Sequence, residues 1–124
     1  MKTYQGSCHC GNVKFEIESD LKSALKCDCS LCRKKNAVMV GVHKTQFKLL
    51  AGEEFLSLYQ WNMKIAKHYF CKVCGIYTFH TRRTKPDEYG VNFYCLDNAD
   101  VTAEELEIVQ VTGSKLSVAD TEAN

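Results

Sequence analysis

The sequence predicts a mainly β domain, antiparallel in its pairing and stapled by metal. Three observations predict it. Short runs of β-branched and aromatic residues recur along 124 residues, separated by small turns and without the strand–helix alternation of a parallel sheet. Eight cysteines (8, 10, 27, 29, 32, 71, 74 and 95) fall at the ends of those runs or in the turns between them. Hydrophobic residues make up 45% of the chain, enough for one packed core.

Residues 13–18 place Val13, Phe15 and Ile17 on one face and Lys14, Glu16 and Glu18 on the other, the alternation of a half-buried strand. Residues 30–36 read as one helical turn, and the apolar run 37–42 as a buried strand. Strands are expected at 47–50 and 55–61, with Ala51-Gly52-Glu53-Glu54 as a hairpin turn between them. Further strands are expected at 65–70, 77–81 and 91–95, with a loop at 84–90 by its turn chemistry. A helical turn near 102–105 precedes a last alternating strand at 106–111. Residues 4–112 thus read as one domain and 113–124 as a flexible tail.

Composition narrows the class. With 25% charged residues and a large apolar fraction the chain is not disordered. No apolar run approaches the ~18 residues of a membrane span. The opening Met-Lys-Thr-Tyr lacks the apolar stretch of a secretory signal. A cytoplasmic location is therefore expected, where structural disulfides are rare and clustered cysteines read first as metal ligands. The net charge of +1 conceals an asymmetry: residues 96–124 carry Asp97, Asp100, Glu104, Glu105, Glu107, Asp120 and Glu122 against Lys115 alone. The remainder is basic, but metal-site thiolates offset part of that charge, so a nucleic-acid partner is not expected.

The cysteines divide by spacing. Cys8-His9-Cys10-Gly11 and Cys71-Lys72-Val73-Cys74-Gly75 are glycine-ended pairs; the glycine can turn the backbone around a metal. Joined, they supply the four soft ligands of a structural zinc. Closing that loop of about 60 residues costs roughly 4 kcal/mol, against the roughly 10–16 kcal/mol of a structural zinc site. The alternative, Cys8 and Cys10 with Cys27 and Cys29, is local but leaves Cys32, Cys71 and Cys74 without a fourth partner. Cys27-Asp28-Cys29-Ser30-Leu31-Cys32 offers three thiolates within six residues. Three protein ligands and an open position are the pattern of a catalytic zinc, which polarises a carbonyl or lowers a thiol's pKa. Cys95 stands alone. It could complete that zinc, serve as a nearby reactive thiol, or be an ordinary buried cysteine.

The remaining candidates have plain readings beside functional ones. His9, His43, His68 and His80 show no ligand spacing and read as structural or solvated, though His68 precedes Cys71 on an expected strand and could face the site. Arg33-Lys34-Lys35 directly follows Cys32, and Arg82, Arg83 and Lys85 form a second basic group. Each could hold carboxylates or line a solvated turn. The apolar and aromatic residues of 55–61 read as core.

Together these residues resemble a known family. Gly6-Ser7-Cys8-His9-Cys10-Gly11-Asn12-Val13-Lys14-Phe15-Glu16, then Cys27-Asp28-Cys29-Ser30-Leu31-Cys32-Arg33-Lys34-Lys35, resemble the first two motifs of the glutathione-dependent formaldehyde-activating enzymes, a family that includes the centromere protein V domain. Phe47–Gly52, Phe70–Gly75, Gly90-Val91-Asn92 and Cys95-Leu96-Asp97 continue in family order. The resemblance implies a β-tent fold of coiled antiparallel sheets. It implies a structural zinc on Cys8, Cys10, Cys71 and Cys74 and a more labile zinc on Cys27, Cys29 and Cys32. It also implies condensation of formaldehyde with glutathione to S-hydroxymethylglutathione, a carbon–sulfur lyase reaction in reverse.

The leading expectation is therefore a zinc-dependent, carbon–sulfur lyase-like enzyme with two zinc ions, acting on an adduct of glutathione or another small thiol with an aldehyde. Cys27, Cys29, Cys32 and Cys95 are its candidate catalytic residues. The competing expectation is a non-catalytic zinc-stabilised binding module of the centromere-protein-V type, its second zinc closed by Cys95. A third is a thiol-based redox or metal sensor.

Overall fold

A computed structural model describes residues 1–62 and 64–112. In chain order its elements are β1 (Lys2–Ser7), β2 (Lys14–Ser19), β3 (Ser23–Cys27), α1 (Ser30–Lys35), β4 (Met39–His43), β5 (Phe47–Ala51), β6 (Leu56–Tyr59), β7 (His68–Cys71), β8 (Tyr77–Thr81), β9 (Glu88–Asn92) and β10 (Glu107–Val111). Short 3-10 turns lie at Lys44–Gln46, Glu53–Phe55, Phe93–Cys95 and Ala103–Glu105.

Two sheets result. The smaller runs β1-β2-β5 and the larger β10-β3-β4-β9-β8-β7-β6. Every pairing is antiparallel except β10 with β3, which is parallel, so the all-antiparallel expectation is corrected at that edge. The core fills the space between the sheets. Phe15 and Ile17 of β2, both fully buried, and Tyr4 of β1 pack against Val40, Val42, Phe79 and Val91 of the larger sheet. Phe15 lies 5.7 Å from Phe47 and 6.0 Å from Phe79, ring centroid to centroid.

Because side chains alternate along a strand, the residues between these core positions lie on the other face of the larger sheet. Met39 of β4 packs there with Leu25, Cys27, Cys29, Cys32, Trp61 and Tyr77, in a second cluster separate from the main core. This face carries the site described below.

Three sequence expectations change. β1 and β3 carry few large apolar residues: inward positions of β1 are Tyr4 and Gly6, and that of β3 is Ala24, so neither shows a hydrophobic pattern. The loop expected at 84–90 is shorter, because β9 starts at Glu88, and residues 93–95 form a 3-10 turn rather than strand. The hairpin at 51–54 does not form: β5 pairs with β2 in one sheet and β6 with β7 in the other. The chain changes sheets at Gly52, whose φ of +93° and 2.1 Å clearance from the Asn12 carbonyl oxygen to a built Cβ admit only glycine. The tail expected at 113–124 lies outside the described residues.

The segment after β9 covers the outer edge of β1, which would otherwise expose unpaired backbone. Asp97 N–H donates to the Gln5 carbonyl at 2.7 Å, the Ser7 hydroxyl to Asp97 at 2.8 Å, and Tyr4 and Lys2 both reach Asp100.

Candidate functional site

The turn between β1 and β2 carries Cys8 and Cys10. Cys71 ends β7, and Cys74 lies in the turn to β8. Their four sulfurs lie within 4.8 Å of one another, which is the long-range pairing the spacing favoured. In each turn a backbone bond closes the loop, from Gly11 N–H to the Cys8 carbonyl (3.2 Å) and from Gly75 N–H to that of Cys71 (2.7 Å). Gly11 and Gly75 have φ of +81° and +79°, so glycine is needed here for backbone conformation rather than for room.

Donors point at these sulfurs. Val13 N–H lies 3.3 Å from Cys8 Sγ, and Asn12 Nδ2 lies 3.3 Å from Cys10 Sγ. Against the effect of burial, the N–H groups of Ile76 and Cys10 hold the Cys74 thiol down to about 6. None of the eight cysteines is in a disulfide. Four unpaired sulfurs at this separation, fed by N–H donors, fit a tetrahedral thiolate-bound metal ion and are compatible with zinc.

The second group is local. Cys27 ends β3, Cys29 caps the N-terminus of α1, and Cys32 is in its first turn. Cys32 N–H donates to Cys29 Sγ at 3.3 Å and Cys29 N–H to Cys27 Sγ at 3.5 Å. These three sulfurs also lie within 4.8 Å of one another. Hydrogen bonds from Cys27 and then Cys32 hold Cys29 well below the ordinary thiol pKa, while Cys27 and then Cys29 push Cys32 far above it. Such crowding favours one thiolate among three, and a divalent cation removes that limit. The donor set fits a metal ion held by three protein ligands.

The three sulfurs open on a cleft of about 600 Å³, counting its open mouth, between apolar walls of Leu25, Met39 and Trp61. His68, His80, Arg82 and Arg83 are among the other residues that line it. Trp61 joins the cleft, whereas Leu58 and Tyr59 of the expected core segment 55–61 are exposed. Arg82 is tied to Glu88 at 2.6 Å, with Lys85 3.9 Å from the same carboxylate. Arg83 lines the cleft without an ion pair among the described residues. Of the basic run after Cys32, Arg33 and Lys34 are exposed while Lys35 turns inward.

Cys95 stands outside both sulfur groups. Its buried thiol packs in the main core and lies 3.5 Å from the Tyr77 carbonyl, and burial pushes its pKa up to about 12. His43 caps the 3-10 turn that follows it, accepting from Thr45 N–H. His9 is an exposed residue of the first cysteine turn. Sequence reasoning gave no reason to single out Tyr77, and read His68 and His80 as structural or solvated. A bulge explains this. The register between β7 and β8 slips beside Tyr69, which lets Tyr77 and His80 meet on one face at 2.6 Å.

A sequence model described as glutathione-dependent formaldehyde-activating enzyme matches residues 3–111. The chain belongs to that family. Among solved structures, the crystal structure of a Rhodobacter sphaeroides protein is 40% identical, covers 85% of this chain and 99% of that one, and aligns with a TM-score of 0.76. For this member of the glutathione-dependent formaldehyde-activating enzyme family, the matched span contains both sulfur groups and every residue lining the cleft. No helix among the described residues is long and apolar enough to cross a membrane.

Proposed function

We propose that this protein joins a small thiol, glutathione first among them, to formaldehyde or a comparably small aldehyde, giving the S-hydroxymethyl adduct. Seen in reverse it is a carbon–sulfur lyase. The observation that carries the reading is the opening of Cys27, Cys29 and Cys32 onto a cleft flanked by cationic and imidazole side chains, in a chain of this family.

Cys27, Cys29 and Cys32 would hold a zinc ion with a position free, and Cys8, Cys10, Cys71 and Cys74 a second, structural one. A zinc bound beside the cleft supplies positive charge that favours the thiolate form of an incoming thiol. In the reaction the thiol loses its proton to water and its sulfur pair forms a bond to the carbonyl carbon. The C=O π pair moves to oxygen, which takes a proton from water. Arg83 is placed to bind a carboxylate of the anionic thiol, and Leu25, Met39 and Trp61 give the cleft apolar walls beside the reacting atoms. Cys95 takes no step: its thiol is turned to the Tyr77 carbonyl. Unpaired thiols suit a reducing cytoplasm.

The test is the rate of S-hydroxymethylglutathione formation with zinc-loaded wild type and with Cys29→Ser. Wild type should exceed the uncatalysed rate and Cys29→Ser should not. Equal rates for wild type and buffer refute the proposal.

A further inference from the structure

Beside the sulfurs runs a chain of buried and half-buried polar side chains that metal binding does not require, and it reaches the cleft at His68 and His80. Lys35 Nζ lies 3.6 Å from the centroid of the Tyr77 ring and 3.3 Å from His68 Nδ1. His68 stacks on His80 with centroids 5.1 Å apart, and the Tyr77 hydroxyl reaches His80 Nδ1 at 2.6 Å and the Gly90 carbonyl at 3.1 Å. Both histidines are 7% exposed, and both line the cleft.

The proton positions follow from donor counting. An ammonium has three donors and no acceptor. Burial lowers the Lys35 pKa, and the neighbouring sulfurs of Cys32, Cys29 and Cys27 oppose that shift; the Tyr77 ring face under Nζ favours the charged ammonium. His68 Nδ1 must then accept, so the neutral ring carries its proton on Nε2. Burial, and then the charge of Lys35, push the His68 pKa down to about 4, so the ring is neutral at physiological pH. His68 Nε2 has no hydrogen-bond partner among the described residues, yet it is not sealed from solvent. His68 itself lines the cleft.

We propose that His68 Nε2–H is the hydrogen-bond donor for the aldehyde oxygen in this cleft, and that Lys35 is the positioning residue that fixes its tautomer. This rests on the thiol–aldehyde reading above. As the C–S bond forms, charge grows on that oxygen, and a donor already fixed in place binds the transition state more strongly than the carbonyl. His68 keeps its proton; the oxygen takes one from water and the thiol gives one up to water. His80, stacked on the ring, holds its plane.

The test combines nitrogen NMR of the zinc-loaded protein with kinetics. The wild-type His68 ring should be the Nε2–H tautomer, and Lys35→Met should release it to a mixture. His68→Phe should lower kcat about 100- to 1000-fold, the cost of one lost oxyanion donor, with the KM for glutathione and the bound zinc unchanged. His68→Gln, which keeps a donor, should recover at least about tenfold of that loss. An Nδ1–H tautomer in the wild type, or wild-type kcat in His68→Phe, overturns this inference and leaves the proposed function standing. Wild-type turnover at the uncatalysed rate, with the Nε2–H tautomer present, overturns the proposed function and the role of His68 with it.

Discussion

Gly90 offers a test of how the cleft is built. It sits in β9 opposite His80 of β8 and Gly41 of β4. A Cβ placed on Gly90 would stand 2.3 Å from His80 Cε1 and 2.9 Å from each ring nitrogen. The ring has little freedom to withdraw, because Tyr77 holds Nδ1 at 2.6 Å and His68 stacks on it. Gly90→Ala is therefore an overpacking change, costing about 1–3 kcal/mol. For a domain of this size each kcal/mol lowers Tm by about 4 °C, so the fall should be roughly 4–12 °C. Thermal unfolding of the metal-loaded protein, followed by circular dichroism, reads it. A double-mutant cycle identifies the cause: in a His80→Ala background the ring is gone, and Gly90→Ala should cost nothing further. A Tm within about 1 °C of wild type for Gly90→Ala, or an equal cost in both backgrounds, would refute the packing argument.

Other predictions test other parts of the molecule. Arg83→Ala should raise the KM for glutathione about tenfold, ~1.4 kcal/mol of binding, and leave the KM for an uncharged thiol such as mercaptoethanol unchanged; equal effects on both thiols would remove Arg83 from carboxylate recognition. Cys71 is fully buried where the four sulfurs meet, so Cys71→Ser should halve bound zinc by elemental analysis and lower Tm well beyond the effect of Cys95→Ser. Retention of both zinc ions in Cys71→Ser would exclude it as a ligand.

The sulfur groups were legible because ligand spacing is local chemistry: each pair or triplet lies within six residues and the glycine after each pair marks its turn. The join of Cys8 and Cys10 with Cys71 and Cys74 followed from counting partners. β2 and β8 were legible by alternation and aromatic content, whereas β1 and β3 were hidden because a strand that offers only Tyr4 and Gly6, or only Ala24, to the core has no hydrophobic pattern. The false hairpin at Gly52 shows the limit of turn chemistry. Gly-Glu-Glu between two apolar runs specifies a turn but not which sheet receives the next strand, and that depended on a contact with Asn12, 40 positions away. Likewise no spacing rule brings Lys35, His68 and Tyr77 together, since they come from α1, β7 and β8 and meet only through the register of the larger sheet and its bulge.

The two cysteine turns also bear on how the chain folds. Each sits at the tip of an antiparallel pair, β1 with β2 and β7 with β8, so each delivers its two sulfurs through contacts near in sequence. The union of the two tips is distant in sequence and joins the smaller sheet to the larger. Distant contacts of this kind set the pace of β-rich folding because the intervening chain must be ordered before they form. An ion that grips one tip and captures the other would act on that slow step, so the supply of metal would govern how fast the two sheets find each other.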